Sequence, residues 1–509
     1  DLVRLAEVLH AAPRPADRAC RGGRRTVVLL DSARPHAVTG RYSVLGWDPW
    51  LTLASSAGRT TLTTSQAGQV LPGSPLDLLQ QMLGRYSGPR HPALPPAGLG
   101  WLGLFSYDLN RWIERLPLPK APIYSAPDLL VFGMRMTAVV DHAAGRSWVV
   151  SVVDPHQPQS QALADARTRV EAFEDAWEAT SSRDADLGGA GDPVAVEPLM
   201  TQPQFEHMVR RAQEHIAAGD IFQANLAQAF RARWPGSPWT LYGVLRRVNP
   251  SPFACFVSCP EVAVVSCSPE RLVRVQDGVA SARPIAGTRP RGASPQEDVV
   301  NSLELILSDK ERAEHIMLVD LARNDLGRVC RVGSVEVNEL MVLEEYSHVI
   351  HIVSNVQGVL RGGADPVDVI RAMFPGGTIT GCPKVRCMEL IRALEPAARG
   401  LYTGSLGWIG FDGSLDLNIL IRTMLLQEGR VSFHVGAGIV ADSQPDREYA
   451  ETLAKAGALF RALGSRMATV TSSRKEHSVV NRSAGCRPTS QGESEYHGLV
   501  GGAPDARCR

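Results

Sequence analysis

The stretch 432–463, SFHVGAGIVADSQPDREYAETLAKAGALFRAL, changes character part-way, and that change sets the fold class. Its opening residues, SFHVGAGIV, read as a buried strand interrupted by small residues. From Asp446 to Leu463 the chain reads as a helix that closes a folded unit near 466. Gly436, Ala437 and Gly438 suggest a turn whose freed backbone N–H groups would suit an anion. Glu448 and Glu451 lie three apart, so they share one face of the helix. A strand rich in small residues is thus followed by a helix that carries paired carboxylates.

The same alternation extends upstream to about residue 201. In QFEHMVRRAQEHIAAGD, Phe205, Met208, Val209, Ala212 and Ile216 form one helical face, and Gly219 can end the helix in the left-handed region. Strand-like FACFVSC, VAVVSCS and RLVRVQDG follow, then a helix in SDKERAEHIMLVDLARND. Further strands are expected at SHVIHIVSNVQG, GSLGWIGF and IRTMLL. Residues 1–153 are strand-rich, with TVVLLDS, YSVLGW and LLVFGMRMTAVVDH between Gly and Pro clusters. Residues 154–200 hold a polar helix and a Ser/Asp/Gly-rich linker. The segment 467–509 lacks periodic apolar positions and reads as a disordered tail. The organisation expected is therefore a strand-rich region at 1–153, a helical linker at 154–200, a second folded unit at 201–466 and the tail.

At 509 residues the chain exceeds what one simple core holds. Lys plus Arg and Asp plus Glu both number 53, so no charge bias favours nucleic acid or an anionic membrane. A small-molecule ligand or a protein partner is the better expectation. No run approaches the roughly 18 apolar residues of a membrane span. Charges interrupt DLVRLAEVLHAAPRPADR where a secretory signal would be apolar. The nine cysteines are scattered, as in a reducing cytoplasm, and Cys255, Cys259 and Cys267 lack the second ligand group a zinc site needs.

Three features carry possible chemistry. Glu311 and Glu314 repeat the spacing of Glu448 and Glu451 on another helix. Each pair is either solvated surface charge or half of a site for a hard cation such as Mg²⁺. The glycine-rich segments AGT (286–288) and FPGGTITGCPK (374–384) are either ordinary loops or anion nests; the second lacks the G-x-x-x-x-G-K-[ST] order of a phosphate loop. Arg422, within the apolar strand LNILIRTMLL, needs either a structural carboxylate or an anionic ligand. His351 in SHVIHIVS is either a satisfied strand histidine or a site residue. Together they suggest a small polyanion bridged to the protein by Mg²⁺.

From about 200 to 466 the sequence closely resembles the chorismate-utilising enzymes. GDIFQANLAQ, PIAGTRPRG, AEHIMLVDLARNDLGRV, SHVIHIVS, FPGGTITGCPK and DREYAET occur in that family's order. LLDS, GRYSVLGWDP and GLFSYDLNR look like the accessory region of its two ammonia-using branches. The resemblance implies an anthranilate synthase component I-like α+β fold, with large β-sheets packed in a sandwich core and helices outside. It implies Glu314 and Glu451 as Mg²⁺ ligands with Glu448 in support. Gly287, Thr288, Tyr402, Arg422 and the 436–438 segment match chorismate-binding positions, and His351 and Thr378 match residues lining the reacting ring.

The branch is read from two positions. Gln223 stands where the water-using branches carry a lysine base, so ammonia is the expected nucleophile. QANLAQAF, FPGGTITGCPK and GSLGWIGFDGSLDLNILIRT look like aminodeoxychorismate synthase component I, which leads to 4-aminobenzoate and folate. Ala286 replaces the lysine common in that branch and leans toward anthranilate synthase component I, as does SHVIHIVS. The alternative of another class is an inactive regulatory subunit. Ammonia is expected from a separate glutamine amidotransferase subunit, because no G-x-C-x-G nucleophile turn occurs here. Ser32 in LLDS and Pro250 and Ser251 in NPSPF match parts of the family's tryptophan pocket.

Overall fold

A computed structural model describes residues 2–11, 25–34, 39–64, 67–95, 98–153, 157–180, 193–292, 294–345 and 349–465. The expected disordered tail, 467–509, and most of the Ser/Asp/Gly-rich linker lie outside these residues. The named strands pair antiparallel in one continuous ladder that folds into two layers.

In the first layer Gln223–Arg233 pairs with Arg430–Ile439, followed in turn by Thr423–Gln427, Ala263–Ser268, Phe253–Ser258 and Val27–Asp31. Val27–Asp31 then pairs with the long strand Tyr42–Ser56. In the second layer Leu129–Asp141, Gly100–Phe105, Ser405–Gly410, Leu415–Asn418, Arg271–Gln276, Val279–Ala282 and Val349–Val359 follow one another. The corner is the pairing of Tyr42–Ser56 with Leu129–Asp141, whose register shifts between Pro49 and Leu51. Asp48 there takes φ 57°, and a bulge of this kind turns a strand from one layer into the next.

Three apolar layers hold this arrangement. Between the two ladders lie Val28, Val44, Leu102, Leu130, Val257, Val264 and Leu425, all buried and drawn from both. Outside the first ladder, Phe230, Phe256 and Phe433 meet the helices Pro238–Val248 and Pro445–Ala462 through Tyr242 and Phe460. Outside the second, Val273 and Leu417 join a cluster with Val319 of Asp309–Gly327 and Ile370 of Pro366–Met373. Alternating inward and outward side chains on each strand produce this sandwich with helices outside.

Val27–Asp31 sits between Phe253–Ser258 and Tyr42–Ser56, so strands from the first 153 residues share one ladder with strands from beyond residue 201. The helices Gln202–Ala217, Asp309–Gly327 and Pro445–Ala462 lie where their patterns place them, and Gly219 takes φ 79°. Arg422 differs from expectation. It lies after Leu415–Asn418 and before Thr423–Gln427, at φ 52°. The run looked continuous because the strands on both sides are buried; the break between them releases the arginine. Cys255, Cys259 and Cys267 are buried thiols, and among the described residues no three His, Cys, Asp or Glu side chains group as a metal set.

Candidate active site

Glu314 lies in the first half of Asp309–Gly327. Ser308 caps that helix by accepting from the N–H of Glu311, and Asp309 and Glu311 suit its positive end. The Gln223 Nε2 donates to Glu314 Oε1 at 2.8 Å, which joins this helix to the strand Gln223–Arg233. Burial raises the Glu314 carboxyl above its usual range, and Glu311 adds to the effect. The Gln223 Oε1 is buried with no hydrogen-bond partner among the described residues.

Pro445–Ala462 brings the second pair of acids. Glu448 is buried; Ser443 Oγ donates to its Oε1 at 2.7 Å, while Oε2 has no partner among the described residues. Glu451 is half exposed and pairs with Lys455 Nζ at 2.7 Å. Lys455 also donates to the carbonyl of Gly436 at 3.2 Å. The charges of Lys310 and Lys455 reach both Glu314 and Glu448, so the two helices present their acids to one region.

Gly436, Ala437 and Gly438 form no turn. They are strand residues opposite Ala227, Leu226 and Asn225. On the other edge Thr423–Gln427 pairs only as far as Phe433, so among the described residues the edge beyond is open to a ligand. The glycines serve close approach: a Cβ at 436 would lie 2.8 Å from the Tyr402 hydroxyl, and one at 438 would lie 2.6 Å from Gln223 Nε2. AGT is likewise a strand, with a bulge at Gly287 (φ 69°) between Ala286 and Thr288. The backbone of Thr288 pairs with His351; its side chain lies outside the described residues. In both places small residues that look like loop signals instead sit in a strand where neighbouring side chains approach closely.

His351 Nδ1 donates to the carbonyl of Gly287 at 3.1 Å. Burial pushes its pKa down to about 4, which keeps the ring neutral. Tyr402 is buried, stacks on His434 at 5.4 Å between centroids, and has its ionisation raised by burial, so it is a neutral phenol. Arg422 Nη1 donates to Asn249 Oδ1 at 3.4 Å.

Thr378 reveals a residue the sequence reading missed. Its hydroxyl donates to Glu270 Oε1 at 2.7 Å. Glu270 is buried between the strands Ala263–Ser268 and Arg271–Gln276, and its pKa is pushed up to about 7 by that burial. The Thr378 bond and the charges of Arg422 and Lys455 oppose the shift. The signal was present in SPERL: an acid between two apolar strands carries the same desolvation cost that marked Arg422.

Glu270 and His351 both lie within electrostatic reach of Arg422, and Lys455 links Glu270 to the acids of the two helices. In comparison with known proteins, residues 28–461 match the family model for chorismate binding enzymes. The chain belongs to that family. This chorismate-utilising enzyme is 41% identical over 444 residues to aminodeoxychorismate synthase component 1 of Bacillus subtilis (strain 168), covering 86% of this chain and 92% of that one. It is 46% identical over 366 residues to an anthranilate synthase component I-like protein of Synechocystis, covering 72% of each. The crystal structure of anthranilate synthase component I from Streptococcus pneumoniae superposes with a TM-score of 0.74 at 31% identity, covering 84% of this chain and 93% of that one. The α+β sandwich expected from sequence is thereby established.

The chorismate enzyme's acids also suit Mg²⁺ chemically. They are hard oxygen donors, the part-buried Glu314 and the buried Glu448 each lie beside a like charge, and Glu448 Oε2 has no partner among the described residues. Gln223 and Lys455 engage Glu314 and Glu451 from the protein side.

Of the residues matched to a tryptophan pocket, Ser32 lines a cavity and Pro250 and Ser251 do not. Ser32 Oγ donates to the Tyr42 carbonyl at 2.8 Å and lines a cavity of about 140 Å³ with Pro252, Arg271, Arg274, Trp408 and Asp416. Pro250 and Ser251 are not among its lining residues. Ser251 instead donates to the Asn249 carbonyl at 3.2 Å within its own turn.

Proposed function

We propose that this enzyme is an aminodeoxychorismate synthase component I, exchanging the C4 hydroxyl of chorismate for an amino group with ammonia from a glutamine amidotransferase partner. The amination half of this reading is carried by Gln223, and the choice of branch by the motifs QANLAQAF, FPGGTITGCPK and GSLGWIGFDGSLDLNILIRT with the 41% identity to an aminodeoxychorismate synthase component 1. The Gln223 Nε2 is tied to Glu314, which leaves a buried amide oxygen able to accept an N–H of ammonia. An amide has no basic nitrogen to take a proton from water, so hydrolytic chemistry has no base at this position.

The remaining residues then take roles. Arg422 and the open edge beyond Phe433 orient the substrate carboxylates. Glu270, fixed by Thr378 and protonated up to about neutral pH, gives its proton to the departing hydroxyl, which leaves as water. Ammonia forms the new C–N bond and loses one proton, so the balance is chorismate plus ammonia to 4-amino-4-deoxychorismate plus water. Ala286, buried opposite Ile352, supplies no nucleophile, so ammonia alone attacks the ring. Mg²⁺, held by Glu314 and Glu451 with Glu448 behind, would polarise the ring carboxylate.

Anthranilate formation is the second reading, and Ala286 and His351 favour it. With Nδ1–H donated to Gly287, the lone pair of His351 lies on Nε2. A neutral imidazole of that form can take the proton whose loss accompanies expulsion of pyruvate.

The deciding experiment incubates the protein with chorismate, Mg²⁺ and ammonium, with and without added aminodeoxychorismate lyase. We expect 4-aminobenzoate only when the lyase is present. Anthranilate and pyruvate without lyase would overturn the first reading in favour of the second. Absence of chorismate consumption would overturn both and leave a regulatory subunit.

A further inference from the structure

Lys455 is a cation among the acids to which the proposed chemistry assigns no role. It lies one helical turn beyond Glu451, with Nζ 2.7 Å from the Glu451 carboxylate and 3.2 Å from the Gly436 carbonyl. It thus spans from the helix Pro445–Ala462 to the strand that lines the site. Its charge is felt at Glu270, Glu314 and Glu448, residues on three different segments. Among the described residues no three carboxylates form a metal set by themselves, and Glu451 is the acid that Lys455 engages.

We propose that Lys455 is a built-in counter-cation that occupies Glu451 in the metal-free enzyme and must release it when Mg²⁺ binds. This rests on the Mg²⁺ reading above. A lysine ammonium is a compact monovalent charge on a flexible stem, so it can leave one carboxylate and keep another partner, here the Gly436 carbonyl. Both partners are 48% exposed, so the pair is weak and a divalent ion can displace it. The consequence is an enzyme whose empty site is charge-balanced without metal. Mg²⁺ then binds modestly until a substrate carboxylate adds a further ligand.

The test measures Mg²⁺ binding calorimetrically, without chorismate, for the wild type and for Lys455→Met, Lys455→Arg and Lys310→Met, alongside melting of each metal-free protein. Lys455→Met should bind Mg²⁺ about three- to tenfold more tightly, the range expected for loss of an exposed competing charge. Its metal-free form should melt lower than wild type and recover with Mg²⁺. Lys455→Arg keeps the charge and should bind no more tightly than wild type. Lys310→Met removes a nearby charge but not the Glu451 pair, and should tighten binding less than Lys455→Met. Unchanged or weaker Mg²⁺ binding by Lys455→Met overturns the proposal, as does an equal gain in Lys310→Met. If the wild type binds no Mg²⁺ even with chorismate present, the metal reading itself fails, a result distinct from either.

Discussion

The candidate active site and the cavity beside Ser32 are built from strands of one ladder, yet their charges are arranged in opposite ways. The site collects Glu270, Glu314, Glu448 and Glu451 and leaves Gln223 Oε1 and Glu448 Oε2 unsatisfied. The cavity collects Arg271 and Arg274 with Asp31 and Asp416, and most of these are paired. Arg271 meets Asp416 at 2.8 Å, and Asp31 accepts from Arg246 and from the Tyr242 hydroxyl at 2.5 and 2.6 Å. Arg274 bonds the neutral amide of Gln276. Where buried charge is left incomplete, a reacting ligand is needed to complete it; where it is paired in advance, the fold uses it as structure. Arg274 is the exception in the cavity, with Asp416 acting on it through charge alone.

The sharpest way to break this contrast is at the incomplete charges. Glu451→Gln should lower chorismate turnover by about three orders of magnitude or more while the protein melts normally, since on the proposed reading it removes a metal ligand from an exposed position. Near-normal turnover would remove Glu451 from the site. Glu270→Gln should lower kcat by about 10²- to 10⁴-fold, the usual contribution of a general acid. Its pH behaviour tests the same residue. Burial raises the folded pKa from 4.5 to about 7, so between those values the folded protein holds a proton that the unfolded chain releases. Stability from this group is therefore full below 4.5 and lost as pH rises through 7. Glu270→Gln should flatten that slope in melts taken across the window, and an unaltered slope would assign it to another group. On the paired side, Asp31→Asn should act mainly on stability, lowering it by about 2–4 kcal/mol, because Arg246 keeps its charge beside a neutral amide. A melt unchanged by Asp31→Asn would show that the cavity's pairing is not structural.

Much of this was legible in the residues. Helical spacing placed Glu314, Glu448 and Glu451 on their faces, because an i, i+3 repeat is local information. Small residues were harder to read. Gly287, Gly436 and Gly438 look like turns in sequence but are strand residues that let a side chain or ligand approach closely, which depends on what lies opposite. Glu270 escaped because an acid between strands has no periodicity to betray it, and its partner Thr378 is 108 residues away. Arg422 was found by its cost but misplaced, since a left-handed break inside an apolar run leaves no compositional trace. The shared ladder was invisible for a related reason: strand pairing is set by distant residues.

That sharing constrains how the chain can be divided. Val27–Asp31 fills the gap between Phe253–Ser258 and Tyr42–Ser56, and Gly100–Phe105 does the same between Leu129–Asp141 and Ser405–Gly410. A cut near residue 200 would leave the later piece with raw hydrogen-bonding edges at Phe253–Ser258, at Ser405–Gly410 and along Phe230–Ala232. Such edges seek other chains, so the severed piece would be prone to sticky self-association. Strands from the first 153 residues thus supply the missing rungs of the half that follows residue 201.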